Sequence, residues 1–185
     1  VATPRSEVIQ KTTSPKRPKT LRADVHHIKI RKQLDKPRVF DYLVVVGLYG
    51  DDPYEIFVME NGSLDKKYTG GIITKVKRGV YKLEIDNGPT IEDVTVDTTE
   101  SEDIFTRMAS AALRHGTDIS YLVDQLEKSE GDLWSFGKAM SRALKKYLKN
   151  GTKISGANCP SCGNEDLIRN EGCATCVRCG FSKCS

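Results

Sequence analysis

Residues 159–184 read CPSCGNEDLIRNEGCATCVRCGFSKC, and all six cysteines of the chain fall within them. Two units repeat: Cys159, Cys162 and Gly163, then Cys176, Cys179 and Gly180. Two thiolates separated by two residues can turn back on one ion, and the following Gly permits the positive φ of the tight turn. Two such knuckles supply four sulfurs, Cys159, Cys162, Cys176 and Cys179, which fill a tetrahedral zinc site and leave no position open for catalysis. Cys173 and Cys184 are left over. Cys173 could instead form a knuckle with Cys176, although Val177 follows that pair where a knuckle prefers Gly. The remaining pair flanks the second knuckle. It is either a thiol pair that exchanges disulfides or spare sulfur sharing the metal.

Working back toward the N-terminus, Gly151 to Asn158 is a short polar linker. Before it lies a helical stretch. Thr99 or Ser101 can cap a first helix carrying Glu102 and Asp103 in its first turn, and Gly116 ends it. Asp118 starts a second helix, and Leu133 to Leu148 mark a third, with Trp134 and Phe136 expected in the core. Lys145, Lys146 and Lys149 suit the C-terminus of that helix as a solvated cationic end. Upstream the pattern is of strands: His26 to Lys32, Asp41 to Tyr49, Tyr54 to Met59, Ile72 to Lys77, Val80 to Ile85 and Ile91 to Val96. They are spaced too closely for crossover helices, which implies antiparallel pairing. Tyr54, Phe57 and Tyr81 are read as packing on the sheet. His26 and His27 are adjacent, so they point to opposite faces and cannot easily share a metal.

The fold class is therefore α+β: a mostly antiparallel sheet followed by a three-helix segment, plus a small C-terminal zinc ribbon. The expected divisions are a flexible basic linker at 1–22, an α+β domain at 23–150 and a cysteine-rich tail at 151–185. The formal charge of +4 is uneven, since residues 1–22 hold six basic side chains against Glu7 alone. Three prolines in that stretch favour an extended tether. No apolar run reaches the ~18 residues of a membrane span, so no membrane partner is expected. Doubled knuckles without a secretory signal favour the cytoplasm. No Ser/His/Asp set, phosphate loop or framed carboxylate pair is present, so the 185 residues show no active site of their own.

Three stretches together resemble the C-terminal region of adenosylcobalamin-dependent (class II) ribonucleotide reductases. They are RPKTLRADVHHIKI (Arg17 to Ile30), the span from VVVGLYGDDPYEIFV (Val44 to Val58) to ISYLVDQLEKSEGDLWSFGKAMSRALKKYL (Ile119 to Leu148), and EGCATCVRCGFSKC (Glu171 to Cys184). Residues 70–148 also look like the TSCPD domain of such enzymes. The Thr-Ser-Cys-Pro-Asp signature is absent, with Leu133, Trp134, Ser135 and Phe136 in its place, so a role tied to that cysteine does not carry over. The resemblance implies the C-terminal portion of a ribonucleoside-diphosphate reductase. It implies that Cys173 and Cys184 form a redox pair that re-reduces active-site cysteines after each turnover, and that the region aids assembly. The catalytic barrel and its adenosylcobalamin would lie in a longer chain or on a separate polypeptide. A dithiol protein would be the outside reductant, and this portion alone would be inactive.

A nucleic-acid-binding zinc ribbon with a basic arm is the rival. After Gly156, Arg169, Arg178 and Lys183 are matched by Glu165, Asp166 and Glu171, and Phe181 is the sole aromatic. That is a poor platform for phosphate or stacked bases, so nucleic acid is not the expected partner.

Overall fold

A computed structural model describes residues 16–32, 35–154, 157–170 and 173–184, with Cys184 described by its backbone alone. Six strands come first: β1 (Thr20–Lys32), β2 (Arg38–Tyr49), β3 (Asp52–Glu60), β4 (Gly70–Lys77), β5 (Val80–Ile85) and β6 (Thr90–Ile91). Three helices follow, α1 (Glu100–Arg114), α2 (Ile119–Lys128) and α3 (Phe136–Leu144), the last running into a 3-10 turn at Lys145–Tyr147. Three short strands close the chain: β7 (Leu167–Asn170), β8 (Cys173–Cys176) and β9 (Ser182–Cys184). The large sheet is antiparallel throughout in the order β3-β2-β1-β4-β5-β6, and the small one runs β7-β8-β9.

The apolar run Leu43 to Val46 does not alternate because β2 is buried on both faces. Its even-numbered residues Tyr42, Val44 and Val46 join Ile56 and Val58 under Val123, Met140 and Leu144 of the helices. Its odd-numbered Leu43 and Val45 pack with Phe57, Ile73, Leu83 and Val94 in a second core to which no helix contributes. Leu64 and Tyr68 from the β3–β4 connection, and Val94 from the segment after β6, help to close that face. A bulge at Gly47 and Leu48 shifts the register, so Tyr54 joins that second core.

β3 is the sheet edge, and an exposed edge invites pairing with another chain. Here α1 covers it. The Ser110 hydroxyl accepts from the Ile56 N–H at 2.9 Å and donates to the Ile56 carbonyl at 3.2 Å, taking the place of a neighbouring strand. α1 is fixed at its start by a capping box between Thr99 and Glu102. The Asp118 side chain caps α2 through the Ser120 N–H at 2.8 Å.

Beneath the same edge Glu55 is fully buried. Arg17 Nη2 reaches its Oε1 at 2.6 Å, and Arg114 Nη2 reaches its Oε2 at 2.6 Å. Gly47 lies opposite, where a Cβ would come within 2.7 Å of the Glu55 Cγ. Two guanidiniums make this buried carboxylate tolerable.

The structure corrects several expectations. The linker does not extend to residue 22: β1 starts at Thr20, and the Arg17 side chain is held on Glu55. Residues 1–15 lie outside the described residues, and with them most of the expected tether. Ile91 to Val96 does not form a strand beyond Ile91. The Asp93 carboxylate accepts from the Thr95 N–H at 3.0 Å and the Thr95 hydroxyl at 2.8 Å, closing a local turn that competes with a ladder. The third helix begins at Phe136, not Leu133. Trp134 stays at the rim, 36% exposed, with the Arg142 guanidinium beside its ring. Phe136 does pack inward, edge-on to Phe105 at 5.1 Å. Of the lysines after α3, Lys146 and Lys149 are exposed as expected, whereas Lys145 is half-buried and paired with Glu127. No helix among the described residues is long and apolar enough to cross a membrane.

Candidate metal centre and thiol pair

Each Cys-x-x-Cys-Gly unit folds into the same turn. The Gly163 N–H returns to the Cys159 carbonyl at 2.8 Å, and the Gly180 N–H to the Cys176 carbonyl at 3.0 Å. Both glycines adopt positive φ, 71° and 74°, which would strain any other residue. The turn then aims one more backbone N–H at the second sulfur of each knuckle: Asn164 donates to Cys162 and Phe181 to Cys179. Neither donor is named by a motif read from side chains. The signal for both is the position directly after the glycine.

The two knuckles meet. Sγ atoms of Cys159, Cys162, Cys176 and Cys179 all lie within 4.8 Å of one another. Sulfurs on a tetrahedral zinc with ~2.3 Å bonds stand about 3.8 Å apart. The Cys159–Cys179 and Cys162–Cys176 separations, 3.6 and 3.7 Å, fit that geometry. Cys159 and Cys176 are buried with Leu167, and Ile154, Ala157 and Phe181 pack around them. This is a small core for a ribbon of its size, so metal binding would supply much of its stability.

Electrostatics make the same demand. The Phe181 N–H leads in lowering the Cys179 thiol to about 7, against desolvation. The Asn164 N–H also lowers Cys162, but desolvation and the neighbouring sulfurs outweigh it and push that thiol up to about 12. Four sulfurs this close cannot all ionise without a cation among them. A divalent ion resolves the conflict, and the donor set suits a soft or borderline metal.

Cys173 lies at the other end of β8. It is disulfide-bonded, and its register partner across the β8–β9 ladder is Cys184, whose side chain lies outside the described residues. Cys173 and Cys176 are three positions apart on one strand, so they project to opposite faces about 10 Å apart along it. The strand thus keeps Cys173 apart from the four-sulfur cluster.

Elsewhere, His26 and His27 do point to opposite sides. The His27 ring donates to the Tyr68 carbonyl at 2.9 Å, while His26 is buried in a polar chain. Sequence reasoning missed that chain, along with the Arg17–Glu55–Arg114 cluster, because the partners are far apart in the sequence.

A family model described as NrdJ homologue C-terminal domain matches residues 21–149. The match covers the large sheet and its helices and stops short of the cysteine ribbon. Neither the curated proteins nor the solved structures contain a match to this chain.

Proposed function

Since the chain belongs to the family of NrdJ homologue C-terminal domains, the C-terminal region of class II ribonucleotide reductases, we propose that it is the electron-relay and assembly region of such an enzyme. Cys173 and Cys184 form its working thiol pair, and Cys159, Cys162, Cys176 and Cys179 hold a structural zinc. One observation carries the reading: Cys173 is disulfide-bonded opposite Cys184 in register, on a ribbon folded by a separate four-sulfur cluster.

The chemistry follows from thiol exchange. With the pair reduced, one thiolate attacks an active-site disulfide and forms a mixed disulfide. The second thiol then attacks its own partner's sulfur and closes the disulfide within the ribbon. Two electrons and two protons pass to the active-site cysteines, and a dithiol protein resets the pair by the same exchange. Four cysteine ligands would leave a bound zinc no open position, so it would take no part in the transfer. Held by Cys159, Cys162, Cys176 and Cys179, it would fix the ribbon so that the pair stays in register. Adenosylcobalamin and ribonucleoside-diphosphate chemistry would belong to the catalytic barrel.

In the complete reductase, Cys184→Ser should leave metal content unchanged and permit a first round of ribonucleotide reduction. It should then stop multiple turnover with a dithiol-protein reductant. Normal multiple turnover without Cys173 and Cys184 would overturn the relay.

A further inference from the structure

A cavity of about 180 Å³ opens between α1 and the β4–β5 hairpin. Four cations line it: Lys75 and Arg78 from the hairpin, and Arg107 and Arg114 from α1. The only carboxylate in its lining is Asp103, which is occupied by Arg107 at 2.7 Å. Glu55 lies behind the wall and is itself shared by Arg17 and Arg114. Neither Lys75 nor Arg78 pairs with a carboxylate among the described residues, which leaves the cavity with an excess of positive charge. Hydroxyls of Thr95, Thr98 and Thr106 add further hydrogen-bonding groups, and Tyr81 and Phe57 form an apolar side.

One cation of the lining is only partly satisfied by the protein. The Arg114 guanidinium gives Nη2 to Glu55, but its Nε is buried with no hydrogen-bond partner in the protein. Lys75 and Arg78, exposed on the cavity and without a carboxylate partner among the described residues, call for an oxygen acceptor. The cavity is too small for a peptide segment and suits one or two tetrahedral oxyanions.

We propose that this cavity binds a phosphate-bearing small ligand, its oxygens taken by Arg78 and Lys75, with the Arg114 guanidinium adding positive charge to the wall. The phosphate is either a free anion or the head of a nucleotide whose base would rest on the Tyr81 side. The site shares no residue with the cysteine ribbon, so it stands whether or not the relay does.

Titration calorimetry on the full chain with inorganic pyrophosphate, a nucleoside diphosphate and the bare nucleoside tests it. Pyrophosphate and the diphosphate should bind saturably at one site, and the nucleoside should not. Arg78→Gln and Lys75→Gln should each weaken binding by about tenfold. Both side chains are exposed, so neither change threatens the fold. A tighter diphosphate identifies a nucleotide, and equal affinities identify the free anion. Absence of saturable binding up to about 10 mM, or binding that neither variant weakens, would overturn the proposal.

Discussion

Tyr147 joins the end of the helical layer to the central strand through His26: its hydroxyl lies 2.6 Å from the His26 Nε2 and donates to Asp24 at 2.7 Å. Because the Tyr147 proton goes to Asp24, its oxygen accepts, and His26 carries its proton on Nε2. The His26 Nδ1 then accepts from Lys146 at 3.3 Å. The chain of bonds is complete only with a neutral imidazole. Burial, and then the Lys146 charge, lower the His26 pKa to about 4, while burial and the Asp24 carboxylate raise that of Tyr147.

Acid should therefore loosen the domain through this one ring. Between pH 6.5 and about 4 the unfolded chain binds the His26 proton and the folded chain does not. The neutral ring's contribution is complete above the unfolded value and is lost as the pH falls, to a total of roughly 3 kcal/mol. Urea midpoints measured at pH values spanning that window should fall more steeply for the native chain than for His26→Gln. Parallel slopes would show that His26 does not set this dependence.

Removing the metal should unfold the ribbon and spare the large sheet. Structural zinc in small cysteine sites supplies about 10–16 kcal/mol, and the ribbon's own core is small. A chelator, or Cys162→Ser, should abolish metal binding while fluorescence of the sole tryptophan, Trp134, keeps its folded spectrum. Loss of both signals together would mean that the two parts fold as one unit.

Arg17→Ala should cost about 3 kcal/mol, because it leaves the buried Glu55 carboxylate to Arg114 alone. Adding Glu55→Gln should recover part of that loss by removing the charge. Denaturant midpoints of the two variants decide it.

Ser110→Ala strips the cover from the sheet edge. The Ile56 N–H would lose its acceptor, at a cost of about 1–2 kcal/mol. Hydrogen exchange at the Ile56 amide should speed up while that at Val45, inside the sheet, should not.

Local chemistry was open to reading in the sequence. Thr99 with Glu102, Asp118, and Gly163 with Gly180 each act within a few residues, so a motif can name them. The antiparallel sheet and three helices followed from pattern alone. What pattern could not give is placement across the sheet. β4 lies beside β1, Arg22 opposite Ile72, because the second core must be covered, and no local signal says so. Arg17 and Glu55 are 38 residues apart, and the cavity draws on four separate segments. Trp134 was misjudged for a related reason. Size argued for burial, but the α2–α3 connection ends at the rim, and the ring lies there against Arg142.

The position of β1 between β2 and β4 has a mechanical consequence. Any load drawn through residues 1–15 reaches β1 at Thr20, where the β4 ladder begins, and the β2 ladder joins it from Arg22. Tension along β1 is taken in shear, by many hydrogen bonds sharing the force at once, and cannot unzip them one by one. Arg17, seated on Glu55 just ahead of the strand, meets the pull first. A body attached through that segment would therefore move this domain as a rigid piece before it could peel the sheet apart.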